Sequence, residues 1–433
     1  MRSHAVDVPF AVHIPLFNKI LLFCTPIVYL VAILTILKVF FIYLALLFYL
    51  TVLAYIINGK GLMPVIGNSY LLIALFALFG SSTFWSIYPD ETIFKVGLHL
   101  FYVLFYLSMV YFFVSCDGRR IMVFSFSMIP IIFFVLNMIL SLVVGNIRAE
   151  NFSQGSVIGS YGNHMVAINE ISIPIVAYGI ITKLMDRKFL VASFVLTMLN
   201  VLISQSRGGL LIMVLSIFMV MVFLRLDRRS VLLYLSILLM LIFVGVGVFS
   251  TMSFFKKAMT HSVERVTETF IEDDIDTLRT LSFVFAVDTI NEYPVLGIGF
   301  GAFSRAMEET YGLGIVPHNV IITLWTGAGI PALLLFALLI LQVVVRGFKA
   351  IRAAPSQNDA LWHKTILIAM FMVILHGLVR PLLDNPIFYM LLACALSARP
   401  PRSLSTQNSQ AGDSGWAGVD HEVRHLAIKD GNI

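Results

Sequence analysis

The chain has 433 residues, of which 59% are hydrophobic and 12% charged, with a mean hydropathy of +0.94. Soluble domains carry about 25% charged residues, so this composition excludes an ordinary soluble protein, and apolar runs of about 20 residues, in place of short alternating segments, exclude a membrane β-barrel. The net charge of +5 is not a nucleic-acid signal, because the basic residues lie between the apolar runs.

In chain order, apolar runs predict helical spans near 19–37, 39–57, 68–86, 95–114, 121–144, 167–184, 189–204, 208–225, 231–250, 322–345, 363–380 and 384–398. This is an all-α polytopic membrane protein of about 12 transmembrane helices. The first apolar stretch, 18–58, is too long for a signal-peptide core, so no cleavage is expected. Residues 1–18 form an N-terminal segment, 19–250 the first nine spans, 251–321 a large outer loop and 322–398 the last three spans. The polar tail 399–433, "RPPRSLSTQNSQAGDSGWAG" and beyond, is too poor in apolar residues to fold by itself and is expected to be disordered. Cys24, Cys116 and Cys394 are far apart and lie in or beside apolar runs, which suggests neither a disulfide framework nor a zinc site.

Lys and Arg sort the connections into two sets. Lys60, Arg119, Arg120, Lys183, Arg187, Lys188, Arg225, Arg228, Arg229, Arg346, Lys349, Arg352 and Lys364 fall on alternate loops. The short intervening loops carry far fewer: Lys38, Lys95, Arg148, Arg207 and Arg380. The positive-inside rule then places both termini in the cytoplasm and the segments 145–166 and 251–321 outside. A bundle closes with a few residues per turn, so a loop of about seventy has work to do. Within it, "TLRTLSFVFAVDTINEY" has helical spacing, with Arg279, Ser282, Ala286 and Thr289 on one face, a pattern suited to the membrane surface.

Candidate functional residues concentrate on the outer side. "LISQSRGGLLIM" puts Arg207 at the end of an apolar run, where a charge is expensive. It either snorkels to the headgroups or binds an anion, since the guanidinium fork matches phosphate oxygens. Ser204 and Ser206 add hydroxyl donors there. "INEYPVLGIGFGAF" holds Gly297, Gly299 and Gly301. With no strand before it, this is no dinucleotide fingerprint but a tight turn returning the loop to the membrane. "VPHNVIITLWTGAGIPALLLF" follows, where His318 opens a helix either as a cap or solvated residue or as a general base, beside Asn319. Glu170 with Asn169, and His376 with Arg380 and Asp384, are either structural polar pairs or parts of a functional cavity. Asp274 and Asp276 in "EDDID" read better as a solvated acidic loop than as a metal site.

Together, "SQSRGG" at a span end, the large outer loop, the arginine-bearing helix, "NEYPVLGIGFGAF" and "PHNVIITLWTGAGIPALLLF" resemble the O-antigen ligase/polymerase family of bacterial membrane proteins. The resemblance covers about residues 200–345, with a similar hydropathy profile over 15–398. It implies a membrane glycosyltransferase of GT-C-like architecture in the bacterial inner membrane, moving a glycan from undecaprenyl diphosphate to an acceptor hydroxyl at the periplasmic face. The acceptor would be lipid A–core or another glycan. Arg207 and Arg279 would bind the donor diphosphate and His318 would be the catalytic base, with no cofactor or metal. Ser204, Ser206, Glu170, Asn319 and Arg380 are the further candidates for binding substrate. A transporter or flippase of an anionic lipid-linked sugar is the competing reading, against which stand the lack of internal repeats and the concentration of polar groups at one face.

The topology is directly testable. Reporter fusions after Arg120, Arg229 and Arg352 should read cytoplasmic, and those near Gly155 and Thr267 periplasmic. A cytoplasmic reading at Thr267 would remove the outer loop from any periplasmic chemistry.

Overall fold

The computed structural model describes residues 63–115, 119–144, 171–203, 207–224, 277–378 and 382–397. The expected spans 19–37, 39–57 and 231–250, the segment 145–166, the acidic run 272–276 and the tail from Arg399 lie outside these residues. Every regular element among the described residues is helical: α1 (Met63–Ser81), a 3₁₀ turn (Ser82–Phe84), α2 (Pro89–Ser115), α3 (Arg119–Val144), α4 (Ile171–Thr182), α5 (Arg187–Ile203), α6 (Arg207–Phe223), α7 (Thr277–Glu292), α8 (Phe303–Tyr311), α9 (Val320–Arg352), α10 (Gln357–Gly377) and α11 (Pro386–Leu396). The spans expected within the described residues fall on these helices, but α2 and α10 begin six residues earlier than 95 and 363, and α9 ends seven residues beyond 345.

α9 and α10 are long and apolar enough to cross a membrane, and α4, α6 and α11 are shorter apolar helices. The helices pack into a dense bundle in which α1 lies against α2 and α9, α2 against α11, α3 against α5, and α10 against α6, α9 and α11. Its core is one continuous cluster that includes the fully buried Phe105, Tyr106, Phe126, Phe194, Phe300 and Phe388.

Polar groups inside this core stitch particular helix pairs. The Ser69 and Tyr106 hydroxyls meet at 2.9 Å between α1 and α2. Pro130 interrupts the bonding of α3 because it has no N–H. On α5, Ser193 Oγ donates to the Ser127 carbonyl at 2.8 Å and Asn200 Nδ2 to the Pro130 carbonyl at 2.8 Å.

The two ends of the bundle are sorted as the charge pattern requires. At one end Arg119, opening α3, pairs with Asp359 in the first turn of α10, and Arg346 Nη1 donates to the Leu396 carbonyl at the end of α11. At the opposite end meet the close of α1, the starts of α2, α9 and α11, and the glycine-rich turn.

The sequence reads the tenth span as one straight run over 322–345; the structure shows 33 helical residues with a break. Ala328 (φ −136°, ψ 17°) and Gly329 (φ 70°, ψ −164°) leave helical geometry. In an unbroken helix the Thr326 carbonyl would accept from Ile330 N–H, and the Gly327 carbonyl would face Pro331, which has no donor. All three stranded groups are satisfied by the glycine-rich turn. Ile298 N–H donates to the Thr326 carbonyl at 2.7 Å, Gly299 N–H to the Gly327 carbonyl at 2.9 Å, and Ile330 N–H to the Val295 carbonyl at 3.1 Å. The approach is so close that a Cβ at Gly329 would sit 1.8 Å from the Val295 carbonyl oxygen.

Gly329→Ala should therefore destabilise well beyond the roughly 1–3 kcal/mol that its nearly glycine-only backbone (φ 70°, ψ −164°) alone costs a side chain. Gly312→Ala is the control: it shares a φ of 70° but faces open space. Thermal unfolding of the two variants in detergent should separate them, and equal losses would mean that the docking contact adds nothing.

Candidate functional site

The glycine-rich turn is held from three sides. Against α9 it makes the bonds just described, and Trp325 Nε1 donates to the Pro294 carbonyl at 2.9 Å. Against the α1–α2 connection, Trp85 Nε1 donates to the Leu296 carbonyl at 2.9 Å and Ile87 N–H to the Ile298 carbonyl at 3.1 Å. Ser82 Oγ donates to the Phe79 carbonyl at 2.7 Å and accepts from Phe300 N–H at 3.0 Å, so a single hydroxyl closes α1 and fixes the turn. Phe300 stacks on Phe79, ring centres 3.9 Å apart. On the third side Gly301 faces Lys95, where a Cβ would approach the Lys95 Cβ to 2.6 Å.

Lys95 leads to a polar cluster that links α2 to the start of α11. Its ammonium donates to both Asp384 oxygens, at 2.9 and 3.1 Å, with side-chain exposures of 27% and 36% for the two partners. His99, one turn further into α2, is buried. Its Nδ1 donates to the Lys95 carbonyl at 2.9 Å, and its Nε2 lies 3.4 Å from Asp384 Oδ1 without a hydrogen bond. Phe300 meets this ring edge-on at 4.9 Å, and Tyr102 donates to the Asp384 backbone carbonyl at 3.1 Å. The turn, α2 and the 382–385 corner thus form one cross-braced unit.

His318 reaches the same end of the bundle. It is half-buried, follows the buried Pro317 and immediately precedes α9. The cap of α9 is Asn319, whose Oδ1 accepts from Ile321 and Ile322 N–H at 2.8 and 3.4 Å. Its Nδ2 donates to the Leu378 carbonyl at 3.0 Å. Asn319, a candidate substrate ligand from the sequence, has its amide engaged in fixing the start of α9 to Leu378 just beyond α10. α10 ends at Gly377, just past His376, and Arg380 lies outside the described residues.

Arg207 is the first residue of α6, and Arg279 lies in the first turn of α7. Their side chains, together with Glu170, Ser204, Ser206 and Arg380, lie outside the described residues. Ser282, Ala286 and Thr289 share one buried face of α7, as their spacing predicts.

A second brace holds α8. Tyr88 donates to Glu309 Oε2 at 2.5 Å, and Arg305 Nε donates to Glu309 Oε1 at 3.1 Å. The Tyr88 hydroxyl holds the Glu309 carboxyl below its ordinary range, while the same bond raises the phenol. A depressed carboxylate stabilises the fold above its unfolded pKa and loses that contribution as pH falls through the folded value. Among the described residues, no group of three or more His, Cys, Asp or Glu side chains is placed to hold a metal ion.

Lys95, His99 and the partnership of Asp384 with α2 escape the sequence reading. The signal was present, since "KVGLH" sets two ionisable residues one turn apart in an apolar run, and such residues are rarely there without a partner.

The turn, the broken helix and His318 fall within one matched segment. Residues 192–337 match the O-antigen ligase family model. The matched segment runs from α5 into α9, past the break at Gly329, and includes Arg207, Arg279 and His318. Lys95, His99 and Asp384 lie outside it and brace it from the rest of the bundle. No curated protein is significantly similar to the chain.

Lys95→Met should lower stability by about 2 kcal/mol, the range for hydrogen bonds to charged groups. Removing both charges in Lys95→Met/Asp384→Leu should recover part of that loss, because a charge left alone is worse than none. Thermal unfolding in detergent reads both, and additive losses in the double variant would show that the pair is not coupled.

Proposed function

We propose that the protein is a glycosyltransferase of the bacterial inner membrane, with both termini cytoplasmic, that ligates or polymerises lipid-linked glycans at the periplasmic face. The observation that carries this reading is the O-antigen ligase match over 192–337, the segment holding Arg207, Arg279 and His318. The donor is a glycan on undecaprenyl diphosphate and the acceptor a hydroxyl of lipid A–core or of another glycan.

The chemistry follows from the groups available. The acceptor oxygen attacks the anomeric carbon as the bond from that carbon to the diphosphate oxygen breaks, and undecaprenyl diphosphate leaves with the electron pair. Attack opposite the leaving group inverts the anomeric centre. Arg207 and Arg279 hold the diphosphate oxygens and stabilise the charge that grows there, which charge-assisted, bidentate hydrogen bonds do well in a low-dielectric site. His318 takes the acceptor proton. Support for that assignment comes from its half-buried place ahead of α9, with Asn319 fixing the local backbone. Ser204, Ser206, Glu170 and Arg380 complete the proposed donor and acceptor contacts. About twelve spans of GT-C-like arrangement would leave an apolar groove for the polyprenyl chain.

Transfer assays on purified protein in nanodiscs test the roles separately. Arg207→Ala and Arg279→Ala should each lose roughly 2–4 kcal/mol of transition-state stabilisation, with lysine only partly restoring it because a point charge replaces a fork. His318→Ala should keep donor affinity and lose about 10²–10⁴ in turnover. The rate of the unmodified enzyme should fall as pH drops below the pKa of the histidine, a limb missing from the residual activity of the variant, and His318→Gln should not restore it. Near-normal transfer by His318→Ala would remove it as the base; loss of donor binding alone would make it a phosphate ligand.

A further inference from the structure

Helix α7 has the wrong polarity for a helix standing in water. Its buried residues are the small or polar Ser282, Ala286 and Thr289, while Phe283 is 57% exposed and Val284 and Val287 are exposed beside it. The exposed arc has two edges. Phe283 and Val287, one turn apart, form an apolar edge; Asp288 and Glu292, also one turn apart, form an acidic one. The apolar edge continues beyond α7 into exposed Val295 and Leu296. Through the Trp85–Leu296 bond it reaches Phe84, which is 92% exposed. Exposed apolar side chains thus come from α7, from the turn that follows it and from the α1–α2 connection, which the Trp85–Leu296 bond holds against that turn.

The surface joins α9 at a defined depth. Arg346 is the first cation toward the far end of α9, and a hydrocarbon core of about 30 Å takes about 20 helical residues. Counting back from Arg346, that core ends beside the break at Ala328 and Gly329, which is where the turn docks. α7 packs against α9, whose Leu334, Leu338 and Leu341 are exposed. Trp85 and Trp325 stand at the same level, each with its indole N–H on a backbone carbonyl, the arrangement that suits this ring to the boundary between water and lipid.

We propose that the apolar edge of α7, with Val295, Leu296 and Phe84, is seated in the bilayer at the boundary of acyl chains and headgroups, and that Asp288 and Glu292 face water. The occupant of the surface is lipid, not a second protein. Arg279, one turn before Phe283, is then carried at headgroup level, where a lipid-borne diphosphate resides. The proposal rests on the membrane placement of α9 and stands or falls apart from glycan transfer.

Spin labels on single cysteines test it, in the full chain with Cys24, Cys116 and Cys394 replaced by alanine and reconstituted in phosphatidylcholine–phosphatidylglycerol nanodiscs. Labels at Phe283→Cys, Val287→Cys and Leu296→Cys should collide preferentially with dissolved oxygen, which partitions into acyl chains. Labels at Asp288→Cys and Glu292→Cys should collide preferentially with a water-soluble nickel chelate. Nickel preference at all five positions would put α7 in water and overturn the proposal. Low collision with both reagents at 283 and 287 would overturn it as well, because a second copy or another protein would then cover the surface.

Discussion

The architecture turns on a helix that is broken on purpose. Gly329 and Pro331 strand two carbonyls and one N–H of α9 in a place where water is scarce, and an unpaired backbone group there is costly. The turn 294–301 supplies the matching donors and acceptor, so a segment from the outer loop becomes part of the membrane helix. The glycines follow from this pairing. Gly297 has a φ of 67° with a Cβ position only 2.4 Å from the Thr326 carbonyl, and Gly299 lies against the Ser86 side chain. A side chain at Gly297 would push the turn off α9, and one at Gly299 would collide with Ser86 and Thr92.

From that joint the rest of the outer end is set. Phe300 is driven between Phe79 and His99, Gly301 lets Lys95 rise to Asp384, and Asp384 fixes the corner that leads into α11. Asn319 ties the first turn of α9 to Leu378 just beyond α10. Residues far apart in the chain are thereby held in one frame by hydrogen bonds that join α2, α9, the end of α10 and the 382–385 corner. A catalytic group at such a place gains the positional definition that transfer to a weak nucleophile requires.

The same frame explains an otherwise odd division of labour. The matched O-antigen ligase segment holds the arginines and the histidine, while the residues that brace it come from α2 and α11, outside the match. A mutation in α2 can therefore act on the outer site without touching a substrate.

Much was legible in the sequence because the bilayer imposes a simple code. Apolar length set the helices, while the Arg119–Asp359 and Asn319–Leu378 contacts join helix ends that lie far apart in the chain. The glycine-rich turn and the shared face of Ser282, Ala286 and Thr289 could be read because a tight turn and a helical period are local properties. The break in α9 could not be placed: "GAGIP" permits a kink, yet whether a helix stays broken depends on a distant partner for its stranded groups. Nor could the pairing of Lys95 with Asp384 across nearly three hundred residues, which follows from which helices happen to be neighbours. Sequence alone determined the elements, their order and the chemistry available, since each is fixed by residues close together in the chain. Only the tertiary structure decided which charges meet, which carbonyls are left for the turn, and which face of α7 is turned outward, because those depend on contacts that no local period encodes.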